Sequence, residues 1–139
     1  MIELIKAILD KLKANTALDN AVVQTGKRLT HGFFYDEAPA DAVFPYIVYY
    51  IISNVTDLAF ALNDSVEDYI IQFSIYDRGP SVATVGDIRD KLRTALDRQT
   101  LTYDTKTACG GCVRMNGTGP SRTEDGWMAT EDYRIWHTS

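Results

Sequence analysis

One stretch restricts the fold more than any other: Phe44-Pro45-Tyr46-Ile47-Val48-Tyr49-Tyr50-Ile51-Ile52. Seven of the eight residues from 46 to 53 are aromatic or β-branched aliphatic, which suits a pleated and well-covered strand. Pro45 fixes where that strand starts. Proline has no backbone N–H, so it is tolerated at the head of a strand and not within the ladder. Apolar side chains fall on both parities, so both faces of this central strand are expected to be covered. The chain's own helices can supply one cover. What supplies the other is the functional question.

Residues 68–77 read as a second strand, antiparallel to the first. It carries Tyr69, Ile71, Phe73 and Ile75 on one face and Ile70, Gln72, Ser74 and Tyr76 on the other. Ile2, Ile5, Ile8, Leu9 and Leu12 recur at helical spacing and predict a helix over 2–14. Asn15 and Thr16 offer an N-cap to a short second helix, with Leu18, Val22 and Val23 buried and Gly26 as its stop. Ser81, after Gly79-Pro80, caps a third helix whose buried stripe is Val85, Ile88, Leu92, Ala95 and Leu96.

The remaining segments are shorter. Residues 28–32 read as a short strand or extended lead-in, and 36–43 as a polar connection. Residues 54–68 read as a loop or splayed hairpin tip, and 100–106 and 112–116 as short strands. The glycine-rich run 116–126 reads as a mobile loop, and 127–137 as a final strand. This order predicts an α+β fold: a mainly antiparallel sheet with helices packed on one face, in a single domain over 1–139.

Charge and hydropathy narrow the function. With 19 acidic and 14 basic residues the net charge is −5, and no basic stripe exists to hold nucleic acid by its phosphates. The longest apolar run, 46–52, is strand-sized, so no membrane partner is expected. Glu3 and Asp10 interrupt the N-terminal apolar residues at helical spacing, which argues against a signal peptide and for a protein made in a cytoplasm.

No constellation looks catalytic. Cys109-Gly110-Gly111-Cys112 matches a redox spacing, but Val113-Arg114-Met115 does not open a helix that would lower a thiol pKa. Gly-Gly is a favoured two-residue hairpin turn, with the cysteines flanking it. His31 and His137 stand at no zinc-finger spacing. The pairs Glu67-Asp68, Glu124-Asp125 and Glu131-Asp132 are adjacent, so on a strand each pair splits between two faces and serves as solvated charge. No catalytic, cofactor-binding or metal-binding residues are assigned. The aromatic excess divides into expected core (Tyr50, Phe73, Trp136) and expected contact groups in loop-like stretches (Phe34, Phe60, Trp127). Leu58, Phe60 and Leu62 form an apolar triad that needs a partner to cover it.

Several of these segments, in this order and spacing, resemble the tail-completion, or tail-terminator, proteins of long-tailed bacteriophages, also called tail-to-head joining proteins. They are the helix over 2–12, Arg28-Leu29 leading through His31-Gly32 to Ala38-Pro39, and Phe44-Pro45-Tyr46-Ile47-Val48. The strand Tyr69-Ile70-Ile71-Gln72-Phe73-Ser74-Ile75-Tyr76, the helix Ile88-Arg89-Asp90-Lys91-Leu92-Arg93-Thr94-Ala95-Leu96 and the end Glu131-Asp132-Tyr133-Arg134-Ile135-Trp136 complete the set. The 109–112 turn and the 116–126 run stand outside the resemblance.

The resemblance implies a structural virion protein at the neck end of the tail, assembled in the host cytoplasm. It implies a hexameric ring on the last tail-tube subunits, which ends tube polymerisation and meets the head-completion protein. DNA would cross the lumen without specific binding. The residues 54–68 and 116–126 are then expected at the ring's two faces. The candidate interface residues toward other subunits or the tube are Phe34, Leu58, Phe60, Leu62, Asn116, Arg122 and Trp127. Three other readings stay open at this point: a head-completion or stopper protein of the same neck, a small thiol enzyme using Cys109 and Cys112, and a generic cellular α+β adaptor.

Overall fold

Tyr46 begins a strand directly after Pro45, as the missing N–H requires. The computed structural model describes residues 2–27, 30–58, 65–103, 106–107, 112–124 and 126–138. They form α1 (Ile2–Ala14), α2 (Thr16–Ala21), β1 (Phe33–Tyr35), β2 (Tyr46–Leu58), β3 (Ser65–Asp77), α3 (Ala83–Leu96), β4 (Thr102–Tyr103), β5 (Lys106–Thr107), β6 (Cys112–Thr123) and β7 (Gly126–Thr138). The large sheet runs β1-β2-β3-β7-β6, with β1 parallel to β2 and every other pair antiparallel. The class is α+β, as expected. The middle strand is β3, however; β2 lies one place out, flanked by the three-residue β1.

Alternation decides which side the helices take. Ile47, Tyr49, Ile71, Phe73, Ile75, Ala129, Tyr133 and Ile135 share one face and join one buried core with Leu4, Ile8, Leu12, Leu18, Val22, Val85, Ile88, Leu92 and Leu96. In α1 the buried stripe is Leu4, Ala7, Ile8 and Leu12, while Ile5 and Leu9 are only partly buried. The predicted stripe is therefore rotated by about one position. In α2, Asn15 Oδ1 accepts the Leu18 N–H at 3.0 Å, the expected N-cap. The helix stops at Ala21, well before Gly26, because Val22 leaves helical φ and its carbonyl lies against Gly32. Val22 is buried and Val23 is exposed, against the expectation for Val23. Ser81 Oγ accepts the Ala83 N–H at 3.1 Å, so it caps α3 from one residue before the formal N-cap, Val82.

Of the two readings given for 54–68, loop or hairpin end, the described part follows the hairpin: residues 54–58 extend β2 and 65–68 begin β3, while 59–64 lie outside the described residues. The loop expected over 116–126 is overturned. Residues 116–123 continue β6 as an edge strand and Glu124 begins a turn where a mobile loop was expected; Asp125 lies outside the described residues. Neighbouring strands supply the reason: β2 pairs with β3 as far as Leu58↔Ser65, and β3 and β6 are each paired in turn by β7. It pairs with β3 from Asp77↔Trp127 to Val66↔Thr138 and with β6 from Cys112↔Ile135 to Thr123↔Gly126. Those backbone hydrogen bonds outweigh the weak strand propensity of Asn, Gly, Asp and Ser. Two register shifts, at Arg114/Asn116 and Thr118/Ser121, admit Pro120 into the edge. The strand expected over 100–106 is instead a two-strand ladder, β4 with β5. Arg28 and Leu29 lie outside the described residues, and the extended segment near them forms as β1, at 33–35.

Candidate interaction surface

Among the described residues, no helix packs on the second face of the sheet. Its rows across the strands are Tyr46, Tyr76 and Met128; Val48, Ser74, Thr130 and Thr118; and Tyr50, Gln72, Asp132 and Asn116. Val48 and Phe34 are buried yet lie outside the helix-covered core, so the large side chains of this face shield them. Tyr46 is the hub of an aromatic cluster, 5.0 Å from Phe44, 5.5 Å from Tyr76 and 6.0 Å from Phe34 between ring centroids. Tyr50 OH donates to Gln72 Oε1, and the Thr118 and Thr130 hydroxyls are hydrogen-bonded to each other. Asp132 Oδ1 is enclosed without a hydrogen-bond partner. Half-buried tyrosines around small polar groups match the make-up of protein–protein contact surfaces.

At the Tyr46 end this face runs into a groove of about 600 Å³, walled by the 38–44 segment and Arg78. The wall is held by a residue that the sequence did not single out. Gln24, 1% exposed, accepts the Val43 N–H and donates to the Val43 carbonyl, each at 2.6 Å. One side-chain amide thereby does the work of a β-bridge. The Arg78 guanidinium stands 4.6 Å from the centre of the Phe44 ring.

The helix-covered face holds an ionic staple. Glu131, fully buried, accepts from Arg89 Nε and, at 2.7 Å, from Arg93 Nη2. Arg89 Nη1 also donates to the Gly119 carbonyl at 2.9 Å, tying α3 to the edge strand. Tyr133 OH donates to Asp97 Oδ1 at the C-cap of α3; burial and that carboxylate raise its pKa well above the tyrosine range. Burial likewise pushes Tyr49 up to about 12.

His31 closes the Phe34 side of the surface. Its ring lies 5.9 Å from Phe34 and 6.5 Å from Phe33, and Nδ1 accepts the Phe33 N–H at 3.4 Å, which needs the neutral ring. Burial, then Lys13, lowers its pKa below 6.5. The unfolded chain therefore takes up this proton before the folded one does. The stability contribution is complete above pH 6.5 and is lost as pH falls below it toward the folded value. His31→Gln is expected to flatten that part of the melting-temperature profile between neutral pH and pH 5.5, measured against wild type by calorimetry.

The described members of the predicted contact set lie on both faces of the sheet and at its far end. Phe34 lies in β1 and is 5% exposed, not in a loop. Asn116 is exposed on the bare face opposite Asp132. Arg122 and Trp127 pair across the β6–β7 ladder on the helix side, with the guanidinium 5.6 Å from the indole. Trp127 is partly buried against the core, with Nε1 enclosed and unpartnered. Leu58 ends β2 at the far tip; Phe60 and Leu62 lie outside the described residues. Of the expected core aromatics, Phe73 is fully buried and Tyr50 only half-buried. The Trp136 side chain lies outside the described residues.

Cys112 is buried opposite Ile135, with its N–H bonded to the Gln99 carbonyl and its carbonyl to the Arg98 N–H. Residues 109–111, and with them the expected turn, lie outside the described residues. Among the described residues no group of three or more His, Cys, Asp or Glu could hold a metal ion, and no helix is long and apolar enough to cross a membrane.

An α+β frame with helices on one face of its sheet and half-buried tyrosines on the other defines a protein with a sheet face suited to protein contact. The family model described as "Tail completion protein gp17" matches residues 6–138. The chain belongs to that family, and so to the structural proteins of phage tails. Among solved structures, a chain from the virion of a native gene transfer agent particle is similar with a TM-score of 0.68 at 16% identity. That match covers 95% of this chain and 92% of the other. No curated protein matches.

Proposed function

We propose that copies of this protein close into a hexameric ring at the neck end of the tail tube. The ring ends tube polymerisation and gives the head-completion protein a surface to join. DNA crosses the lumen without specific binding, and assembly takes place in the host cytoplasm. The action is geometric and turns over no substrate.

Membership of the tail-completion family over nearly the whole chain carries this reading. The bare sheet face supports it as the surface available for neighbours. A heterologous contact repeated about an axis closes into a ring, whereas one that does not close makes a filament. A ring whose two annular faces differ binds the tube on one side without templating more tube on the other. The net charge of −5 agrees with a lumen that lets DNA slide, since no counterions are released by clustered cations.

In particles assembled without this protein, electron microscopy is expected to show overlong tubes that lack heads. Tails of normal length attached to heads would overturn the proposal. Detached tails of normal length would assign the protein to the head side of the neck.

A further inference from the structure

We propose that the open edge of β6 in one copy pairs, antiparallel, with the open edge of β2 in the next copy, so that one sheet runs on through neighbouring subunits. The inference rests on the ring proposed above and names its subunit contact.

Both edges are open among the described residues. β1 pairs with β2 only over 47–49, although β2 runs on to Leu58. At the other end of the sheet β6 is the last strand. Its Cys112 N–H and carbonyl are taken by Gln99 and Arg98, and from 113 onward no described strand pairs with its outer side. An unpaired edge is a template for another chain, and proteins normally blunt it with charge, proline or a bulge. Pro120 does so within the second register shift of β6. Residues 113–118 hold one charged side chain, Arg114, which already faces Asp97 at 3.7 Å.

The other two bulges carry apolar groups. Ile52, the extra residue between Ile51 and Ser53 in β2, is 47% exposed. Met115, the extra residue between Arg114 and Asn116 in β6, is 53% exposed, and Val113 beside it 44%. A bulge that served only to protect an edge would gain nothing from Ile or Met in water.

The ladders set these sites at one level. Val113↔Arg134, Ile70↔Arg134 and Ser53↔Ile70 align Val113 with Ser53 across the sheet. Asn116↔Asp132, Gln72↔Asp132 and Tyr50↔Gln72 align Asn116 with Tyr50. The unblunted part of β6 therefore stands level with the part of β2 that β1 leaves free. Thr118 and Ser121, either side of Pro120, stand level with Val48 and Tyr46, beside β1. Open edge meets open edge, and blunted edge meets covered edge. Because β2, β3, β7 and β6 alternate in direction, a neighbour with its helices on the same side brings β6 antiparallel to β2. The contact is head-to-tail; β6 against β6 would close a two-fold dimer and leave β2 open.

Disulfide trapping in the full-length chain, with Cys109→Ser in every variant, tests the pairing. Ile52→Cys and Met115→Cys proteins are mixed at about 1 mM and oxidised with copper phenanthroline. Within one chain the two sites are three strand spacings apart, about 14 Å, so no internal bond can form. A mixed dimer is expected at about tenfold the yield of either variant alone, and Val113→Lys in the Met115→Cys chain should suppress it. Ser53→Cys with Val113→Cys is the second pair, and matching melting curves confirm that each variant is folded. No mixed dimer from either pair overturns the edge pairing and leaves the ring untouched. Equal dimer from Met115→Cys alone overturns it in favour of β6 against β6. A chain carrying both Ile52→Cys and Met115→Cys should give a ladder that ends at six subunits. A ladder that ends elsewhere or runs on keeps the contact and overturns the hexameric ring.

Discussion

Replacing Glu131 by alanine is expected to cost about 3 kcal/mol of folding stability, read as a lower urea midpoint at unchanged slope. The carboxylate is fully buried among core residues of β7 and balances two guanidinium groups from α3. Without it Arg89, whose side chain is 14% exposed, keeps its charge in a largely dry site with only the Gly119 carbonyl as a described partner. Arg93, at 33%, can turn toward water and recover part of its solvation, so the loss sits at the lower end of the range for such breaks. Removing the whole cluster should be much milder. Glu131→Leu together with Arg89→Met and Arg93→Met leaves no unpaired charge and is expected to recover most of the midpoint. A loss below about 1 kcal/mol in Glu131→Ala would show that water or a rearranged side chain already screens the pair.

The staple also marks where the sequence stops being legible. The strand over 68–77 and the α3 stripe were readable because periods of 2 and 3.6 state which face is buried. The same alternation rule splits Glu131 from Asp132, and the two do occupy opposite faces of the sheet. What could not be read was which of them had partners, since Arg89 and Arg93 lie 42 and 38 residues away. The available signal was their i,i+4 spacing beside the buried stripe of α3. Gln24 was hidden for a related reason: its task is a backbone clamp on Val43, 19 residues on, and an isolated glutamine carries no period. Phe34 and residues 116–123 were misplaced because neighbouring strands, not local composition, decide their conformation. Family membership was legible from the order of several moderately specific segments. The second face follows from Tyr46, Val48 and Tyr50 standing opposite the parity that the described helices cover.

Gly126→Ala is expected to destabilise the protein by about 3 kcal/mol or more, read as a lower urea midpoint. Gly126 has φ +146, a backbone state that side chains rarely adopt. A Cβ there would lie 2.1 Å from the Asp77 carbonyl oxygen and 2.7 Å from Arg78 Cα. Both obstacles are backbone, so no rotamer change relieves them. The β6–β7 turn and the end of β3 have to separate, breaking the ladder that begins at Asp77↔Trp127. Arg78 is carried along, away from the Phe44 ring on which its guanidinium rests. Gly86 supplies the control, because a Cβ there meets nothing within 4 Å and the residue lies inside α3. Gly86→Ala should therefore stabilise by roughly 0.5–1 kcal/mol. Should Gly126→Ala melt near wild type, the turn has room that the backbone contacts deny. Arg78 would then owe its position to Phe44 alone.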